Sequence, residues 1–238
     1  MVRAGTRGAR EPVAMIFGDR VAPAVTVAPA EWIAGACRGL GSTVGALVPN
    51  QYPVILHVHA PDPSVEDWWS AYRDLFETVA SIGERHTSTP SRAWFAVWEG
   101  HGFDSHMTHI AWQRPLDDAT RHALEQERSR LRDEDERRNA AVRAALRQVP
   151  RFDLPNRTYY LLAGPVAAAT GLRDPGSTSE WCRPDMFWPD DRQWFVATDV
   201  DFWSLYVGGG HEFITELARS VPTLAEIVTL DQELAAED

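Results

Sequence analysis

Short apolar runs, set at irregular intervals among longer helix-like segments, limit the folds open to this chain. Val54–Val58 and Ala93–Trp98 are rich in β-branched and aromatic residues and too short for stable helices, so they predict strands. The same pattern predicts strands at Val13–Phe17, Val25–Val27, Val44–Val48, Thr108–Trp112, Thr158–Leu162, Arg192–Thr198, Leu205–Val207 and Glu226–Leu230. Helical patterns fall at Ala30–Arg38, Ser64–Arg85 and His211–Arg219, with a helical turn at Pro165–Thr170. Strand and helix do not alternate as a parallel βαβ fold requires. The expected class is α+β: a mixed or antiparallel sheet with flanking helices and one long charged helix.

Ser64–Arg85 is the clearest of the helices. Trp68, Tyr72, Leu75, Phe76, Val79 and Ile82 recur at 3.6-residue spacing, Ser64 is placed to cap, and Asp67 stands at the capping-box position. Leu116–Val149 is the long charged helix. From Glu125 to Arg138, eleven of fourteen residues are charged and Leu131 is the only aliphatic, so this stretch reads as a solvated helical insertion. Pairs such as Asp133–Arg137 and Glu134–Arg138 add about 0.3–0.5 kcal/mol each, enough to favour helix but not to build a core. Residues 1–11 are expected to be a disordered N-terminus and 12–238 a single α+β domain, with a sub-domain boundary near 150–156, where Pro150 and Pro155 fall.

The chain has no lysine: all 23 basic residues are arginine. That removes Schiff-base chemistry, the phosphate-binding lysine of P-loops and kinases, and Ser–Lys nucleophile pairs. No Gly-x-Ser-x-Gly elbow or His-Glu-x-x-His segment is present. A formal charge of −11 without a basic stripe argues against nucleic acid and against an anionic membrane surface. No apolar stretch is long enough to span a bilayer, and Pro12–Gly18 is too short for the core of a signal peptide. Cys37 and Cys182 lack metal spacing and read as reduced thiols, giving a cytoplasmic expectation.

Two constellations can carry chemistry. Asp199 and Asp201 lie two apart in an extended segment, hence on one face, where they could hold Mg²⁺ or Mn²⁺ or act as an acid/base pair. They follow Asp190, Asp191 and Arg192 in a stretch, Trp181–Trp203, that holds four tryptophans; alternating tryptophans fit a core, and strand-end aspartates often bind local backbone. Arg192 and Arg183 are candidates to hold an anionic substrate. The second constellation is histidine: His57-x-His59 on one strand face, then His101, His106 and His109 beyond Ala93–Trp98, a set that could hold zinc or iron with a position left for water. Gly208-Gly209-Gly210 reads as a tight turn opening a helix, and the dinucleotide fingerprint is missing around it. No organic cofactor is expected; a divalent metal is the one inorganic group these residues suit.

Three segments resemble a widespread actinobacterial family of uncharacterised proteins: Val97–Gly102, Tyr159–Pro165, and Trp188–Arg192 continuing through Val207-Gly208-Gly209. The resemblance covers roughly residues 40 to 230 and implies a soluble, intracellular bacterial protein. It carries over no activity and no catalytic residue, and where that family has an aromatic residue this chain has His101. The expected function is a non-enzymatic binding or interaction protein, immunity-like or regulatory, with a basic protein partner. The alternative is a metal-dependent hydrolase using the histidines or the Asp199/Asp201 pair.

Overall fold

The computed structural model describes residues 17–38, 41–101, 126, 129–130, 133, 136–137, 139–155, 157–175, 181–198 and 203–234. The strands are β1 (Ala22–Pro23), β2 (Val54–Val58), β3 (Ala93–Trp98), β4 (Arg151–Leu154), β5 (Arg157–Gly164), β6 (Met186–Pro189), β7 (Trp194–Thr198), β8 (Leu205–Gly209) and β9 (Ala225–Val228). They form one sheet in the order β1-β5-β3-β6-β7-β8-β2-β9, with β4 paired to β5 off this path. Each described pairing is antiparallel, so the expected α+β class holds in its antiparallel form.

Both faces of the sheet are covered, which explains why its central strands read as unbroken apolar runs. One face presents Leu56, Val58, Phe95, Val97, Phe187, Trp194, Val196 and Val207. The other presents Ile55, Ala96, Leu161, Trp188, Phe195, Ala197 and Tyr206. This alternation is the two-residue period of a strand. The second face is closed by the N-terminal segment, where α1 (Glu31–Ala36) brings Ile33 and α2 (Val44–Leu47) brings Val44, with Val48 and Tyr52 following.

α3 (Trp68–Arg85) closes the first face with Tyr72, Leu75, Phe76, Val79 and Ile82, all buried as the spacing predicts. Each such side chain contributes about 1.5–3 kcal/mol on burial, before entropy is counted. The helix starts four residues later than expected. Asp67, rather than Ser64, caps it by accepting from the Ser70 N–H at 3.3 Å. Ser64 instead donates its N–H and hydroxyl to Asp62, closing a turn that precedes the helix.

Of the charged helix, residues 126, 129–130, 133, 136–137 and 139–146 are helical, the last eight forming α4. Val142, Ala145 and Leu146 from α4, with Val149 just beyond it, are buried in the core of the first face. The C-terminal end of that helix is therefore docked, not solvated. α5 (His211–Ser220) completes the layer with Phe213, Ile214 and Leu217.

Three expectations are corrected. Val44–Val48 is helical over Val44–Leu47, because the Val44 and Gly45 N–H groups bond to Gln232 and Leu230 carbonyls far along the chain. Val25–Val27 is not a strand: Ala22–Pro23 pairs with β5, and Val27 leads into a 3₁₀ turn at Ala28–Ala30. Gly208 and Gly209 belong to β8, where the rings of Tyr52 and Phe213 lie 2.7 and 2.5 Å from the points their Cβ atoms would occupy. Close ring packing, more than a turn, requires these two glycines. The expected strand Thr108–Trp112 and all but Phe17 of Val13–Phe17 lie outside the described residues.

Candidate functional site

Among the described residues, one rim of the sheet gathers most of the buried polar side chains: His57, Arg183, Asp185, Thr198 and Ser204. Register aligns the end of β2 with the start of β8 and the end of β7: Val58 pairs with Leu205, and Leu205 with Thr198. The loop before β6 closes this row. The Asp185 N–H donates to the Ala96 carbonyl at 2.9 Å, and the Thr198 N–H donates to the Asp185 carbonyl at 2.8 Å. The Asp185 carboxylate, 1% exposed, accepts from the Trp98 N–H at 2.6 Å and lies 3.1 Å from His101 Nε2. His101 is thus engaged by a buried acid at the end of β3.

Two residues before Asp185, the same loop delivers Arg183, which is 8% exposed. Its Nη1 donates to the Tyr72 hydroxyl at 2.8 Å and to Thr198 Oγ1 at 3.0 Å. Its guanidinium lies 4.7 Å from the centre of the Trp203 ring, a cation–π contact. Around it the start of α3 contributes further rings. Trp68 stacks on Tyr72 at 4.9 Å and meets Trp203 edge-on at 5.0 Å, while Trp69 stands perpendicular to Trp203 at 5.4 Å. Trp68 and Trp181 are tied back by their indole N–H groups, to the Pro61 carbonyl at 2.8 Å and the Ala169 carbonyl at 3.2 Å.

The outer rings stay in water: Trp69 is 58% exposed and Trp203 37%. Beside them opens a groove of about 310 Å³ lined by Trp69, Ser70, Arg73 and Trp181. That volume matches the small end of the range for ligand pockets. Arg73 is steadied by one donor to the Thr170 carbonyl at 2.8 Å.

The histidine pair lies at the other end of this rim. His57, in β2, and His59, one residue past its end, have ring centres 4.1 Å apart. β9, beside β2, sets Glu226 directly opposite His57. His57 Nδ1 lies 3.0 Å from Glu226 Oε1; the carboxylate can only accept, so the nitrogen carries the proton in this pairing. His59 Nε2 is 3.5 Å from the same oxygen. The hydrogen bond from His57, with the nearby His59 ring, holds the Glu226 carboxyl below the usual range.

The sequence-predicted residues therefore separate. His57 and His59 come together, and Glu226, which the sequence did not single out, joins them. His101 is four strand spacings away along the sheet order, roughly 19 Å at ~4.8 Å per strand, and pairs with Asp185 instead. His106, His109, Asp199 and Asp201 lie outside the described residues.

Arg192 is at the opposite end of the β6–β7 hairpin from Thr198. Its backbone is left-handed, with φ of 57°, and its guanidinium lies 4.9 Å from the Trp32 ring centre. Its neighbours fasten loops together. Asp190 accepts from Trp94 Nε1 at 2.9 Å and pairs with Arg92, while Asp191 accepts from Thr87 and Ser88. Of the four tryptophans in Trp181–Trp203, Trp188 and Trp194 are fully buried core; Trp181 and Trp203 belong to the rim.

No helix among the described residues is long and apolar enough to cross a membrane. Comparison with family models, with curated proteins and with solved structures found no match.

Proposed function

We propose that this chain is a binding protein, immunity-like or regulatory, that docks a basic protein partner through the tryptophan-lined rim at the start of α3. One observation carries the reading: two exposed tryptophans, Trp69 and Trp203, stand perpendicular to each other, Trp203 over the buried Arg183 and Trp69 on the wall of an open groove. Burying large aromatic rings at the centre of an interface is how a few residues come to dominate affinity. Arg183 and Tyr72 fix the base of the cluster, so the rings lose little freedom when a partner covers them. Arg73, with N–H groups beyond the one on Thr170, can donate to backbone carbonyls of a docked segment.

The partner's charge follows from the chain's own. A formal charge of −11 steers a basic protein toward it, an effect on association rate that salt weakens. We place this work in the cytoplasm, where the free thiols of Cys37 and Cys182 stay reduced.

The test compares the wild-type chain with a Trp69→Ala/Trp203→Ala variant as bait in lysate of the cells that make it. The expected result is one basic protein retained by the wild type, released by raised salt, and lost from the variant. Equal retention by both baits, retention indifferent to salt, or no partner on the wild type refutes the reading. Matching thermal melts of the two baits show that the variant is folded, and single Trp69→Ala, at the more exposed ring, serves as bait if the double variant melts lower.

A further inference from the structure

We infer that His57, His59 and Glu226 form a binding site for a divalent transition-metal ion, of the class of zinc or cobalt, on the exposed edge of the sheet. This inference does not rest on the partner-binding reading: the site lies on β2 and β9, and the tryptophan-lined groove on α3 and the loop before β6.

The three side chains each offer one ligand atom, and those atoms all lie within 4.8 Å of one another. Zinc holds nitrogen and carboxylate oxygen at about 2.0–2.2 Å, which sets tetrahedral ligands about 3.3–3.5 Å apart. The His57–Glu226 and His59–Glu226 separations, 3.0 and 3.5 Å, bracket that spacing. The two imidazole ligand atoms lie within 4.8 Å of each other, and the His59 ring, 46% exposed, is free on its solvent side to turn toward the ion. Two imidazoles with one carboxylate favour zinc or cobalt over magnesium or calcium, which prefer an all-oxygen shell.

The surroundings restrain each of the three ligands. The His57 side chain is 2% exposed and its ring lies flat on Tyr206, 4.6 Å away and only 4° from parallel. This fixes the ring plane and aims Nδ1 at β9. The backbone of His59 is held by its N–H, which donates to the Leu224 carbonyl at 2.7 Å on the approach to β9. Glu226 is placed by the ladder itself, opposite His57. β9 is the last strand in the sheet order, so the outer side of the cluster faces solvent, with His59 46% and Glu226 52% exposed. Three protein ligands and an open side make the arrangement of a site that keeps a position for water or a ligand.

A purely electrostatic pairing of His57 with Glu226 would also bring these groups together, and metal titration separates the two cases. Tag-free protein, stripped with chelator, is titrated with zinc by calorimetry and with cobalt by visible absorption. The expected result is about one equivalent of either ion at micromolar affinity or tighter, with the intense visible bands of four-coordinate cobalt. His59→Ala and Glu226→Ala, both at exposed side chains, are each expected to weaken zinc by at least about tenfold, as loss of a ligand or its support does. Absence of uptake by the wild-type protein overturns the inference, as does uptake that neither substitution weakens. Apo-protein melting temperatures of the two variants within a few degrees of wild type show that any loss of metal is a loss of ligand and not of fold.

Discussion

Gly83, near the end of α3, gives the sharpest test of the packing, because helix propensity and core volume push it in opposite directions. Replacing glycine by alanine in a helix adds about 1 kcal/mol through propensity alone. Here the new Cβ would lie 2.7 Å from Trp194 Cζ2 and 2.8 Å from Cε2, closer than carbon atoms approach without movement. The indole has no simple escape. It is fully buried, its Nε1 donates to the Gly83 carbonyl at 2.9 Å, and Phe187 and Phe213 pack against it at 5.5 and 5.8 Å. Overpacking a tight core costs about 1–3 kcal/mol, and a rigid, hydrogen-bonded ring puts this site toward the upper end. The clash therefore wins, and Gly83→Ala is expected to destabilise by about 1–2 kcal/mol net. Gly35 supplies the control: it is exposed in α1 with nothing within 4 Å of its would-be Cβ. The same substitution there is expected to stabilise by about 0.5–1 kcal/mol. Urea unfolding of both variants, followed by far-UV circular dichroism, measures the pair. A Gly83→Ala midpoint at or above wild type would refute the reasoning.

Two further outcomes follow from titratable groups. Burial pushes the Asp191 carboxyl up, but hydrogen bonds from the Thr87 and Ser88 side chains and the backbone N–H groups of Ser88 and Gln193 outweigh this and hold it below the usual range. Its contribution to stability is therefore present above the ordinary aspartate value near ~3.9 and lost as pH falls through the depressed one. Asp191→Asn should be less stable than wild type at pH 7, with the gap closing toward pH 3; urea midpoints that differ equally at both pH values would count against it. Burial pushes the Cys37 thiol up to about 12 and the Cys182 thiol well above its ordinary value. Both should resist a disulfide-exchange reagent at pH 8 in the folded protein and react promptly in urea, since the thiolate is the attacking species. Fast labelling of native protein would show that these burial sites open easily.

Much of the sheet was legible because its central strands are apolar on both sides. Val54–Val58, Ala93–Trp98 and Trp194–Thr198 each carry residues for two cores, so the run itself gives them away. The same property misleads at Val44–Leu47. Four apolar residues cannot display a 3.6-residue period, and the helix there is set by carbonyls of Leu230 and Gln232. Strands β4 and β6 escaped notice for other reasons. Arg151–Leu154 carries Arg and Asp on its outward face between two prolines, and Met186–Pro189 ends in a proline beside two aspartates. β4 is a hairpin partner of β5, and hydrogen bonding to a neighbour leaves no mark on composition.

The cluster of His57, His59 and Glu226 shows most plainly where sequence legibility stops. His57-x-His59 could be found from spacing alone, because two residues apart on a strand means one face. Glu226 could not, since its place depends on a partner 169 residues away. The one clue available was that Glu226 opens a short segment of strand character, which places an acid on a strand but on no particular neighbour. Register then decides everything. With His57 opposite Glu226 and Leu56 opposite Ile227, acid and imidazoles share a face, the face that also carries Tyr206 and Val228. A slip of one residue would set Ile227 against His57 and turn Glu226 to the other side of the sheet. Val228, 5% exposed among the residues of the second core, resists that slip, because it would have to leave its buried place for the edge of the opposite face. The apolar residue two positions along the strand thus holds the glutamate in reach of the histidines, and the chemistry of this edge is fixed by packing rather than by any motif.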